Sequence, residues 1–164
     1  TEADRALAAL VLPAVVADLG KKNSAGRMTA YDVSMDSILA KGVVSFAVAG
    51  YVASVFPYYD RLNVRAAEAA VRAATPVSGG FLGSVKERMD VSVIVEGSRV
   101  IPGYGLTAVD AVALSGEAVS FLSPEPPAKF PAGAGLILRG TVKAHVADSY
   151  KRRNVTRMNR VVVS

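Results

Sequence analysis

Residues 85–96, Val85-Lys86-Glu87-Arg88-Met89-Asp90-Val91-Ser92-Val93-Ile94-Val95-Glu96, decide the fold class. Val85, Glu87, Met89, Val91, Val93 and Val95 share one parity; Lys86, Arg88, Asp90, Ser92, Ile94 and Glu96 share the other. Successive side chains of a strand point to opposite faces, so the spacing predicts a strand with one apolar and one wet face. Gly97 and Ser98 are expected to break it as turn residues.

Downstream the pattern repeats. Arg99 to Ile101 lead into a Pro102-Gly103-Tyr104-Gly105 turn. Leu106–Leu114 and Glu117–Leu122 read as two strands joined at Ser115-Gly116, and the proline-rich 123–131 reads as a loop. Leu136–Val146 alternates again, and Asn154–Val163 forms a last strand. Several of these runs exceed the usual length of about five or six residues. A broad sheet follows, its apolar face covered by helices or by a neighbouring subunit.

Upstream the signals are helical. Thr1 is a hydroxyl cap followed by acids, and Leu7, Leu10, Val11, Ala14 and Val15 lie on one face. Pro13 is expected to kink or restart this helix, Gly20 to close it, and 21–27 to form a mobile polar connection. Asp32–Ala40 suits a short helix. Gly42–Phe56 is open to two readings. Its Val and aromatic content suits a strand, whereas Ser45, Ala49 and Ala53 form a small-residue stripe at helical spacing, and helix is the expectation. Such a stripe lets another backbone approach closely. Pro57 to Asp60 should end that element, and Asn63–Ala74 should form an Ala-rich helix capped by Asn63 with a Glu68–Arg72 pair.

The fold expected is therefore α+β, N-terminal helices followed by a mostly antiparallel sheet with long strands. It is expected to be one domain over 1–164, with a helix-rich part (1–82) and a strand-rich part (83–164).

Composition narrows the chemistry. There is no Cys, so disulfides and thiolate catalysis are excluded. No stretch reaches the roughly 20 apolar residues of a membrane span, and the acidic first turn is unlike a signal peptide. The net charge of +5 is uneven: eight basic against seven acidic residues up to Leu82, then eleven against seven from Gly83.

Each candidate site competes with a plainer explanation. Thr1 could act as an N-terminal nucleophile, but it opens an acidic helix, where capping explains it. His145 is the single histidine and falls on the polar parity beside Lys143, as an exposed surface residue does. Asp32 and Asp36 are too few to hold a cation, and capping accounts for them. Gly133-Ala134-Gly135 precedes a strand rather than a helix, so it reads as a bend and not a phosphate loop. Asn154-Val155-Thr156 matches a glycan acceptor only in its short motif.

The stretch 150–160 (YKRRNVTRMNR) carries the strongest signal. Lys151, Arg152, Arg153, Arg157 and Arg160 stand together with no acid among them. They can neutralise phosphates, with Tyr150 or the asparagines reaching sugar or base. An edge strand protected by charge, or a subunit contact, would use the same residues.

Three function classes follow. The first is a self-assembling structural protein, such as a virion coat or tail component, with copies of itself as partners and the basic segment facing RNA or DNA. The second is a nucleic-acid-binding module of a ribonucleoprotein complex. The third is an enzyme with a dispersed site, placed last because no catalytic constellation or cofactor loop is visible. Virion or cytoplasm is the expected location, with no cofactor and no membrane.

Overall fold

A computed structural model describes residues 1–42, 45–149 and 151–163. Helices come first: α1 (Glu2–Ser24), α2 (Ala30–Lys41), α3 (Ala49–Ala53) and α4 (Val55–Ala74). Five strands follow: β1 (Arg88–Ile101), β2 (Leu106–Ala113), β3 (Ala118–Ser123), β4 (Gly135–Asp148) and β5 (Arg153–Val163). The α+β class and the mostly antiparallel sheet are as expected. By its contacts the chain divides into two compact units, Thr1–Asn63 and Val64–Ser164.

In the first unit, Thr1 and Thr29 each close a reciprocal capping box, with Asp4 and Asp32 as the third helical residues. Thr1 is thus a cap, as its sequence context implied. Val11, Val15 and Leu19 of α1 pack with Met35 of α2 and with Val55 and Tyr58 of α4. The buried row begins later than expected, since Leu7 and Leu10 are exposed. Gly20, expected to end α1, lies inside it. A single helical Gly costs only about 1 kcal/mol, and burial of Leu19 with the Lys22 contacts to Asp32 and Tyr58 offsets that.

Two boundaries in 42–63 need correction. The 42–56 stretch is not one helix: beyond residues 43 and 44, which lie outside the described residues, it forms a 3₁₀ turn (Phe46–Val48), the short α3 and the start of α4. Ser45, Ala49 and Ala53 are exposed rather than packed. Pro57 does not end a helix; it sits in the first turn of α4, where the missing N–H would have had no partner anyway. Asn63 consequently lies mid-helix instead of capping one.

In the second unit, the strands close into a barrel in the order β1-β2-β3-β5-β4. Hairpins link β1, β2 and β3; β4 returns to pair with β1; and β5 fills the gap, antiparallel to β4 and parallel to β3. This is a Greek-key path. It corrects the broad, covered sheet expected from strand length. The strands are long because each serves two neighbours: Arg88–Ile94 of β1 pairs with β4, and Val93–Ile101 pairs with β2. That offset is the stagger a closed barrel requires.

The parity read in 85–96 holds from Arg88 to Val95, whereas Glu96, expected on the wet face, is buried. Val91, Val93 and Val95 are buried and Ser92 is exposed. They fill the barrel with Val109, Ala111, Val119, Phe121, Phe130, Leu138 and Met158. Residues 84–87 form a turn, so β1 begins at Arg88. Gly97 and Ser98 do not end it. The register slips between Val95 and Gly97, a bulge that bends the strand around the barrel and lets it run on to Ile101. A Cβ at Gly97 would lie 2.6 Å from Glu68 Oε1, so the bare backbone makes room for that α4 side chain.

Candidate nucleic-acid interface

The bulge at Gly97 resets which side chains of β1 face outward. Beyond it Arg99 and Ile101 flank a groove, joined by Leu106, Ala108 and Asp110 of β2 and Ser120 and Leu122 of β3. Ladder register places Arg99 opposite Ala108, Ala108 opposite Leu122, and Ser120 opposite Arg157 of β5. The groove thus crosses the outer face of β1, β2, β3 and β5, with a volume of about 540 Å³. The β1–β2 turn, between the lining residues Ile101 and Leu106, carries Tyr104, which is 76% exposed. The β4–β5 turn supplies Lys151.

Five cations line this groove, Arg99, Lys143, Lys151, Arg157 and Arg160, against two acids, Asp110 and Asp148. Asp110 Oδ2 accepts from Arg99 Nη1 at 2.9 Å and lies 2.7 Å from Lys151 Nζ. Arg157 and Arg160 are exposed. Simple alternation would turn Arg160 inward, like the buried Met158. Instead Arg160 adopts φ 51°, where β5 slips register against β4 between Asn159 and Val162. The irregularity turns its side chain out, into the groove, as bulges commonly do.

The five cations picked out between 151 and 160 therefore have different surroundings. Lys151, Arg157 and Arg160 meet in the groove. Arg152 is exposed in the β4–β5 turn, at φ 51°. Arg153 is already paired: both terminal nitrogens donate to the buried Glu96 carboxylate, Nη1 to Oε1 at 2.8 Å and Nη2 to Oε2, and it lines a neighbouring cavity that shares Arg99, Asp110, Asp148 and Lys151 with the groove. Those bonds outweigh burial and raise the guanidinium pKa above its ordinary value. Tyr150 lies outside the described residues.

Reading the sequence locally missed Arg99 and Asp110 as groove residues. The signal was present: the alternation of β1 continues past Gly97 once one residue is skipped. The other candidates have structural partners. His145 stacks on Phe81 with ring centroids 4.4 Å apart, and its Nε2 lies 3.3 Å from the Leu82 carbonyl, so it is half-buried rather than exposed. Asn154 donates to the Gly79 carbonyl at 2.6 Å, and Thr156 Oγ1 accepts from the Leu82 N–H at 2.9 Å, so this motif anchors 79–82. Gly133 and Ala134 exchange backbone bonds with Val95, which makes the glycine stretch a bend.

Asp32 serves a helix cap and an ion pair. Lys22 Nζ donates to its Oδ1 at 2.8 Å, and with the Thr29 bonds this lowers the carboxyl pKa from 3.8 to about 2. Among the described residues no three His, Asp or Glu side chains come together to hold a metal ion, and no helix is long and apolar enough to cross a membrane. Comparisons with protein-family models, curated proteins and solved structures found no match to this chain.

Proposed function

We propose that the barrel unit is a nucleic-acid-binding module that holds a single strand across the outer face of β1, β2, β3 and β5. The observation that carries this is the groove, with five cations to two acids around an apolar floor of Ile101, Leu106, Ala108 and Leu122. Cations along a groove neutralise the backbone, while an apolar floor and an exposed aromatic offer surfaces on which unpaired bases stack. Duplex readout calls for a helix or ribbon that enters a groove of the DNA, whereas this face presents a groove of its own.

Architecture adds a further argument. Five-stranded Greek-key barrels of the OB type bind oligonucleotides or oligosaccharides on the face of strands 2 and 3 and between the loops joining strands 1–2 and 4–5. The groove lies in that position. This is an analogy of architecture alone, and charge is what favours a polyanion over a sugar.

The test is fluorescence anisotropy with labelled single-stranded DNA and RNA over a salt series. Each phosphate contact contributes a slope of about −0.7. Replacing Lys143, Arg157 and Arg160 together by Gln should flatten the slope by about two units with little effect on folding, since all three are exposed. A wild-type protein with no salt-sensitive binding would refute the proposal.

Self-association, of the kind a coat or tail component needs, is a second reading with its own observation. The helical unit exposes Leu7, Leu10, Val16, Val33, Phe46 and Phe56. Light scattering across a concentration series tests it, and a monomer at every concentration would exclude it.

A further inference from the structure

We propose that Arg99 and Lys151 form a phosphate subsite which the Asp110 carboxylate occupies in the free protein, standing in for a phosphate oxygen. This deepens the nucleic-acid proposal and rests on it.

Three separate parts of the barrel converge here. Arg99 comes from β1 beyond the bulge, Asp110 from the middle of β2, and Lys151 from the β4–β5 turn. Both cations meet the same oxygen, Oδ2, at 2.9 and 2.7 Å. The carboxylate is sheltered, with 17% of its side chain exposed against 66% for Arg99. Its position on the groove floor is fixed by register: Asp110 lies opposite Gly97 on one side and Ser120 on the other. Gly97 has no side chain and Ser120 carries no charge, so neither neighbour along the ladder neutralises the acid. Arg99 and Lys151 do so.

The chemistry of such an arrangement is competitive. A phosphodiester carries one negative charge spread over two free oxygens, the same charge and a similar oxygen pair as a carboxylate. Arginine's fork suits either anion, and lysine binds either as a point charge. An incoming strand must therefore draw Arg99 and Lys151 off Asp110 and meet the repulsion of the acid it displaces. Asp110 holds both cations in place before the strand arrives, and it lowers the affinity for any strand that does. Among the described residues Arg157 and Arg160 form no ion pair, so they supply the readily available part of the attraction, and the clamp adds contacts only where a phosphate reaches it.

Asp110→Asn keeps the shape and removes the competing charge. With labelled oligothymidylate long enough to cover the roughly 4–16 nucleotides a single barrel spans, anisotropy should show tighter binding. The expected gain at low salt is about three- to tenfold, the scale of one charge contact at a wet surface. The salt slope should steepen by about 0.7, the weight of the one opposing charge removed. Asp90→Asn is the control. It removes the same charge from an exposed pair with Arg139, outside the groove, and should change affinity less than about twofold.

Unchanged or weaker binding by Asp110→Asn, with its thermal melting intact, overturns the inference. So does an equal gain from Asp90→Asn, which would mean net charge alone. Should Asp110→Asn fail to fold, Arg99→Gln decides, because that side chain is two-thirds exposed. Loss of about 0.7 from the slope supports the subsite, and an unchanged slope overturns it. Absence of salt-sensitive binding in the wild type refutes the nucleic-acid proposal and this inference together; wild-type binding that Asp110→Asn fails to strengthen refutes this inference alone.

Discussion

Glu96 and Arg153 form a two-pronged ion pair that joins β1 to β5, two strands that share no ladder in the barrel. The Glu96 side chain is 2% exposed and the Arg153 side chain 15%. Such a pair fixes where the β4–β5 turn lies, and through the turn where Lys151 can reach. Removing one partner leaves a buried charge alone, so Arg153→Met should cost about 3 to 5 kcal/mol in chemical denaturation. Glu96→Met with Arg153→Met should recover most of that loss. Additive losses in the double variant would show that the two side chains do not act as a pair.

Arg160 occupies a left-handed backbone conformation that side chains rarely adopt. Glycine adopts it freely, whereas other residues are strained there by about 1 to 3 kcal/mol. Arg160→Gly should therefore leave thermal stability equal or slightly higher while weakening strand binding. If stability drops by more than about 1 kcal/mol, the backbone strain assigned to this position is not there.

Tyr104 is exposed at the tip of the β1–β2 turn, where a base could stack on it. Tyr104→Ala should weaken single-strand binding by about 1 kcal/mol or more. Its salt slope should stay as in the wild type, because no phosphate contact is removed. A change in slope with no loss of affinity would contradict a stacking role.

The helical unit should be acid-sensitive through Asp32. Its folded pKa of about 2 lies below its ordinary 3.8, so its contribution is complete above about pH 4 and is lost as pH falls toward 2. The size is about 2 kcal/mol. Denaturation at several pH values should show a shallower acid dependence in Asp32→Asn than in the wild type. Identical dependence in both would exclude the Lys22 and Thr29 bonds as the cause.

Val93 and Ser92 test the barrel interior. Val93 is 1% exposed and Ser92 is exposed. Val93→Asp should cost several kcal/mol, and Ser92→Asp should be close to silent. Equal loss of soluble protein from both would refute the parity on which the barrel core rests.

Local chemistry determined much of this protein before any tertiary contact was considered. The alternation in 88–95, the hydroxyl cap at Thr1 and the Ala-rich turns of 63–74 depend on neighbours within a few residues, and the sequence displays those directly. It also displayed the basic run from Lys151 to Arg160. Closure of the sheet depended instead on pairs distant along the chain, such as Ser120 with Arg157, which no short-range period reveals. The same holds for the site. Arg153 and Lys151 stand two residues apart with the same charge, yet Glu96 buries one and Asp110 holds the other at the groove. Charge was written in the sequence; which charges are spent inside the fold was decided by the bulge at Gly97 and by the closing of the barrel, because those bring the opposing carboxylates within reach.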